Sequence, residues 1–137
     1  LKKYREERLE QVGMQGVFPI WKRPTKELAK EFVDLGFKAV TVCVNEKHLD
    51  QSFVGREMDA QFFKDLPEGV DACGEYGEYH SFVYDGPMFK KPVRFKRGEK
   101  VFRKYEPPPV SQDTSCGYQS STVNYDTGFW YCDLLPV

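Results

Sequence analysis

T-K-E-L-A-K-E-F-V-D-L-G-F-K-A-V-T-V-C-V, residues 25–44, holds the change of period that decides the fold. Thr25 is a favourable N-cap, and Leu28, Phe32 and Leu35 share one face of a helix expected over about 26–35. Gly36 follows as a left-handed terminator. Residues 37–44 are then almost uninterrupted apolar and β-branched, as in a strand covered on both faces. Cys43 reads as a small buried hydrophobe within it. A helix followed at once by a buried strand is the signature of an α/β fold.

On the N-terminal side, Leu1, Tyr4, Arg8, Leu9 and Val12 are spaced for one helix face, with Gly13 as the stop. A short extended piece, 16–20, leads to Trp21 and Arg23, which on residue type alone read as a packing anchor and a surface charge. On the C-terminal side, 45–58 is less regular, with Asp50 or Ser52 as caps. His48 reads as a surface imidazole, because no second ligand stands at helical spacing from it. Asp59 is expected to cap a short helix carrying Phe62, Phe63 and Leu66, ended by Pro67 and Gly69.

Beyond residue 89 the period becomes that of short strands, at 93–95 and 101–105, joined by an R-G-E turn. Pro107, Pro108 and Pro109 open a polar stretch to Ser121 that reads as an exposed loop. A last hairpin is expected from 122–125 and 129–134 about a turn at Asp126, Thr127 and Gly128. The expected architecture is thus a mixed sheet with helices, followed by a β-rich tail packing back on it.

The chain has 137 residues, of which 40% are hydrophobic and 30% charged, which suits one globular unit with a real core. A net charge of -1 argues against a general grip on nucleic acid. The basic run Lys90, Lys91, Arg94, Lys96, Arg97, Lys100, Arg103, Lys104 reads as the solvated face of a hairpin. Cys43, Cys73, Cys116 and Cys132 form no C-x-x-C pair, and are read as reduced thiols of a cytoplasmic protein. No apolar run reaches membrane-spanning length, so no membrane partner is expected. The chain opens at Leu1, inside an expected helix, which reads as a fragment or excised domain.

The densest chemistry is C-G-E-Y-G-E-Y-H-S-F-V-Y-D-G-P-M-F, residues 73–89. Gly74 and Gly77 permit positive φ and close approach of another group, while Glu75, Glu78 and His80 can exchange protons or pair with a cation. Such a loop meets a ligand, although Gly, Glu and Tyr also build ordinary turns. Its string G-E-Y-G-E-Y-H-S…F-V-Y-D-G-P-M-F resembles the G-E-x-G-E-[FY]-[EH]-[ST]…D-x-P-[LIM]-F signature of the diphthine-ammonia ligase family. That family belongs to the N-type ATP pyrophosphatases of the adenine-nucleotide alpha-hydrolase superfamily. V-F-P-I-W-K-R, residues 17–23, is similar to the family's P-[LI]-W-x-R segment, and the likeness runs over about residues 1–95. Tyr76 departs from it, standing where a small residue or Asn is usual, and the phosphate-binding S-G-G-K-D-S motif is absent.

The resemblance implies a division into the end of a nucleotide-binding half (1–20), a substrate-recognition domain (21–95) and the tail (96–137). It implies an ATP-dependent ligase that activates a carboxylate as an acyl adenylate, releases pyrophosphate and lets ammonia displace AMP. ATP, with Mg, would be held mainly by a half this chain lacks, so the chain alone is not expected to be a complete enzyme. The implied acceptor class is the diphthine side chain, a modified histidine on translation elongation factor two, and a homo-oligomer is left open. Glu75, Glu78 and His80 would be catalytic, while Trp21, Arg23, Gly74, Tyr76, Gly77, Tyr79, Ser81 and Asp85 would bind substrate. Carboxylates and aromatic faces recognise a trimethylammonium group, and ammonium must lose a proton before it attacks. No metal is expected to be held by these residues, and Glu75→Gln and Glu78→Gln are expected to change stability by less than about 1 kcal/mol. Two alternatives stay open. Glu75, Glu78, His80 and Asp85 could instead bind a divalent metal for phosphoester hydrolysis, or the chain could be a non-catalytic interaction domain.

Overall fold

The computed structural model describes residues 2–104 and 127–137. In chain order it contains α1 (Lys2–Glu10), α2 (Thr25–Asp34), β1 (Lys38–Asn45), α3 (Ala60–Asp65), β2 (Tyr79–Asp85), β3 (Phe95–Lys104) and β4 (Gly128–Pro136). The expected proline break at 107–109, the polar stretch to 121, the strand at 122–125 and Cys116 lie outside the described residues. So does Asp126 of the turn at 126–128.

The end of α2 shows how residue type becomes geometry. Gly36 takes φ +80, which lets its amide reach Val33 O at 3.0 Å and the Phe37 amide reach Phe32 O at 3.2 Å. These two bonds make a Schellman ending, and its apolar contact is the stacked pair Phe32 and Phe37, 5.2 Å between ring centroids. The helix face differs from expectation. Ala29 is the buried residue, Leu28 and Phe32 are half-buried, and Leu35, in the C-cap position, is 53% exposed because its side chain lies past the last helical turn. Thr25 is not the N-cap. Pro24 holds that position without a side-chain cap bond, and the Thr25 hydroxyl donates instead to Asp71 Oδ2 at 2.6 Å. Asp59 does cap α3, its Oδ1 accepting from the Phe62 amide at 2.8 Å.

The α/β class stands, but the sheet is antiparallel throughout rather than mixed, with strand order β2-β1-β4-β3. As a central strand, β1 buries Ala39, Val40, Thr41, Cys43 and Val44, which explains its near-continuous apolar sequence. The tail joins this same sheet, because β4 lies between β1 and β3, with Val44 opposite Trp130 and Val101 opposite Tyr131. R-G-E is not a turn between two strands. It is a bulge inside β3, where one extra residue falls between the pairs Arg97 with Leu134 and Lys100 with Cys132. A Cβ at Gly98 would stand 3.1 Å from Asp133 Cβ, so glycine suits the crowded side of that bulge.

The core lies on one face of the sheet and contains Val44, Leu49, Phe53, Val54, Phe62, Tyr79 and Cys132. Three of these come from 45–58, whose irregular pattern hides its burial. Asp50 makes an Asx turn there, accepting from the Ser52 amide at 2.6 Å, and does not cap a helix. The buried Thr41 hydroxyl fastens this segment by donating to Phe53 O at 2.5 Å, while the Arg56 amide donates to it at 3.2 Å. α1 buries no residue, and no described helix is long and apolar enough to cross a membrane.

Phe62 is fully buried against the rings of Phe53, Phe63 and Tyr79, at 5.8, 5.3 and 5.7 Å between centroids. Phe62→Ala is expected to cost about 3–5 kcal/mol, and Leu35→Ala less than about 0.5 kcal/mol. Urea unfolding of the two variants checks this ranking, which comparable losses would refute.

Candidate functional site

The glycine- and glutamate-rich loop is built around two carboxylates that face inward. Asp71 Oδ1 accepts from the amides of Cys73 at 2.9 Å and Glu75 at 3.3 Å. Its Oδ2 takes the Thr25 hydroxyl. Glu78 is 1% exposed, and its two oxygens accept from the amides of Asp71 at 3.0 Å and Tyr76 at 2.8 Å. One buried carboxylate thus pins both ends of the turn that precedes it. The two glycines make the path possible. Gly74 takes φ +68 with room for no side chain, since a Cβ would lie 2.9 Å from Tyr79 O, and Gly77 takes φ +84. The Tyr79 hydroxyl closes the base by donating to Ala72 O at 2.5 Å.

These bonds push Glu75, Tyr76 and Gly77 into solvent, with Tyr76 82% exposed. Beside this tip lies a cavity of about 850 Å³ lined by residues of α2, α3 and the segment that follows α3. Phe63, Leu66 and Val70 form its apolar side, Lys26, Lys30 and Lys64 stand on its rim, and Tyr76 and Asp71 border the loop end. Burial raises the Asp71 pKa, but the Thr25 hydroxyl and the amides of Cys73 and Glu75 outweigh it, holding the carboxyl below its ordinary value. The Cys73 thiol is pushed up by burial first and then by the charges of Asp71 and Glu75. The Tyr79 hydroxyl is likewise driven well up, chiefly by burial.

The structure separates the residues that the sequence groups together. Glu75 and Tyr76 stand at the tip, and Gly74 and Gly77 shape it. Glu78 and Tyr79 are buried beneath it. His80 and Ser81 are exposed on β2, and His80 borders a different cavity of about 620 Å³, with Val42, Phe129 and Tyr131. Asp85, at the far end of β2, pairs with Lys38 Nζ at 3.3 Å and accepts from the Gly86 amide at 2.9 Å. Trp21 is half-exposed, 6.3 Å from the Phe18 ring, with Lys2 Nζ 5.9 Å above it. Arg23 is held by Glu31 at 2.6 Å.

Glu75, Glu78, His80 and Asp85 therefore do not converge, and no group of three or more His, Cys, Asp or Glu side chains suited to a metal occurs among the described residues. The basic residues from Lys90 to Lys104 are exposed, and Arg97 is paired with Glu57. His48 is exposed, as expected. Sequence reasoning missed Asp71, Thr25 and the lysines of the rim. An Asp two residues before Cys73 is an Asx-turn signal that could have found the first. The partnership with Thr25, 46 positions away, has no local signal.

A family model described as diphthamide synthase C-terminal domain matches residues 24–106, more than half of the chain. Among curated proteins, the diphthine–ammonia ligase of Danio rerio is 32% identical over 113 residues, covering 74% of this chain and 43% of its own length. The one from Mus musculus is 31% identical over 113 residues, covering 74% of this chain and 41% of its own. The one from Schizosaccharomyces pombe is 28% identical over 101 residues, covering 68% of this chain and 17% of its own. The chain thus spans less than half the length of these relatives.

Burial changes the expectation for Glu78. Glu78→Gln turns an amide donor toward a backbone donor, so it is expected to cost about 1–3 kcal/mol rather than to be near neutral. A urea midpoint unchanged from wild type would contradict this. For Asp71 the folded pKa is lowered, so its contribution is full above the ordinary carboxyl value of about 3.9 and is lost as pH falls through the folded value. The stability difference between wild type and Asp71→Asn should therefore shrink on acidification, measured by urea unfolding across that range. A difference that grew would contradict the sign.

Proposed function

From the premise that this chain belongs to the diphthamide synthase C-terminal domain family, we propose that it forms the acceptor-facing part of an ATP-dependent ligase. In this reading, ammonia converts an activated carboxylate to an amide. The acceptor is a side chain of the diphthine type, a modified histidine of a translation elongation factor, carrying both a cation and the carboxylate. The observation that carries this reading is the tip itself, a carboxylate and an aromatic ring on consecutive exposed residues whose amides are held by Asp71 and buried Glu78. In this reading a cation meets both there. Charge pairing with Glu75 and cation–π contact with Tyr76 are each worth about 0.5–2 kcal/mol when partly desolvated.

The residues divide by what their atoms are free to do. Glu75 has an exposed carboxylate, so it can bind ammonium and accept the proton that must leave before nitrogen attacks. Glu78 has both oxygens committed to amides and supports the tip. Tyr79 and Gly74 support it from below, and Gly77 gives the backbone its reversal. Trp21 and Arg23 lie on the segment that leads into α2. His80, Ser81 and Asp85 are set along β2 and have no contact with the tip that would give them a step.

Neither α2 nor α3 offers a glycine-rich start for a triphosphate. α2 opens after Arg23 and Pro24 without a glycine-rich turn, and α3 has six residues, so neither helix start is a phosphate cradle. We assign ATP and its magnesium to parts of the protein beyond these residues, and derive no step through them. A cytoplasmic site of action follows from the proposed acceptor.

The test is Glu75→Gln in the complete protein, assayed for ATP-dependent amidation and AMP release. Activity is expected to fall by about a hundredfold or more, with stability within about 1 kcal/mol of wild type. A stable variant with full activity would remove Glu75 from the chemistry.

A further inference from the structure

Two supports hold the tip, and they differ in kind. Glu78 is part of the buried base, and its removal is expected to cost stability. Asp71 is half-exposed and hangs the tip from α2. Its Oδ1 carries the Glu75 amide at 3.3 Å and the Cys73 amide at 2.9 Å, and its Oδ2 takes the Thr25 hydroxyl at 2.6 Å. A second contact joins the same pieces, the Cys73 thiol donating to Thr25 O at 3.4 Å. Thr25 is the first residue of a ten-residue helix, and Glu31, one turn and a half further on, holds Arg23 of the lead-in segment.

We infer that Thr25 is a positioning residue, acting through Asp71 so that the start of α2 sets where the Glu75 carboxylate stands. This deepens the ligase reading and rests on it. A threonine at a helix start would ordinarily donate or accept within its own first turn. Here the hydroxyl is spent on a carboxylate 46 positions away. Because Asp71 holds the backbone of Glu75 itself, a shift of its carboxylate moves the carboxylate proposed to handle the proton. Misplacement of such a group by about 1 Å can cost about a hundredfold in rate. The lowered Asp71 pKa and raised Cys73 pKa agree with an intact tie.

The experiment compares Thr25→Val, which keeps the shape and removes the hydroxyl, with Thr25→Ser, which restores it, in the complete protein. Two readouts are taken, the kcat and KM of amidation and the rate of Cys73 alkylation by iodoacetamide, resolved by peptide mass spectrometry. Thr25→Val is expected to lower kcat between about tenfold and a hundredfold with KM for ATP unchanged, and to speed Cys73 alkylation several-fold, with a modest loss of stability that leaves the protein folded in the absence of urea. Thr25→Ser should restore both.

Wild-type kcat in Thr25→Val overturns the inference, whatever the labelling rate. So does a Thr25→Ser variant as impaired as Thr25→Val, or a Thr25→Val loss that is accounted for by a population of unfolded protein under the assay conditions. If the wild-type protein performs no amidation, the ligase reading fails by itself. Alkylation then decides the tie: faster in Thr25→Val than in Thr25→Ser upholds it, and equal rates overturn it.

Discussion

A carboxylate taken out of water costs several kcal/mol unless its lone pairs are filled, and Glu78 fills them with two amides of the loop it terminates. Much follows from that constraint. The amides of Asp71 and Tyr76 must point inward, so the chain between them has to turn tightly through Gly74, and Gly77 turns it back toward Glu78, both at positive φ. With these amides fixed, the side chains of Glu75 and Tyr76 have nowhere to go but outward. The loop also depends on the sheet, because Glu78 O accepts the Asn45 amide at 2.9 Å at the end of β1.

That end of β1 belongs to the best-covered strand of the molecule. β2 and β4 flank it, the irregular segment 45–58 folds over it, and buried Thr41 locks that segment down through Phe53 O. A loop rooted on such a strand inherits its rigidity, which suits the proposed role of Glu75 as a positioned proton acceptor. The other side of the loop leans on α2, which buries only Ala29. A firm root and a lighter outer support are both present in one turn.

Electrostatics sorts the loop's groups by role. Asp71 is favoured as the anion by the hydroxyl and amides around it, whereas Cys73 is disfavoured as a thiolate by burial and by the nearby Asp71 and Glu75. A thiol held neutral is a poor nucleophile, so the cysteine beside the tip is a packing and hydrogen-bonding group. The exposed carboxylate of Glu75 and ring of Tyr76 are left as the surface that a ligand would meet.

Much of the fold was legible in the chain because its signals are local. Gly36 ends α2, Asp59 caps α3, and the uninterrupted apolar run of β1 marks a covered strand. The character of 73–81 as a specialised loop was equally plain from its glycines and glutamates. Local signals could not tell which strands pair. R-G-E reads as a turn by residue type, and only its pairing with β4 makes it a bulge; the tail's strands become part of one antiparallel sheet by the same long-range choice. Nor could they tell Glu75 from Glu78, identical side chains three positions apart. Burial separates them, and burial is a property of what folds over a residue: Glu78 is enclosed by its own loop and the end of β1, while Glu75 is carried into solvent on amides held by Asp71. The Thr25 contact lies furthest from the reach of sequence, because a hydroxyl at a helix start finds a carboxylate 46 residues on only once sheet and helix have brought the two together.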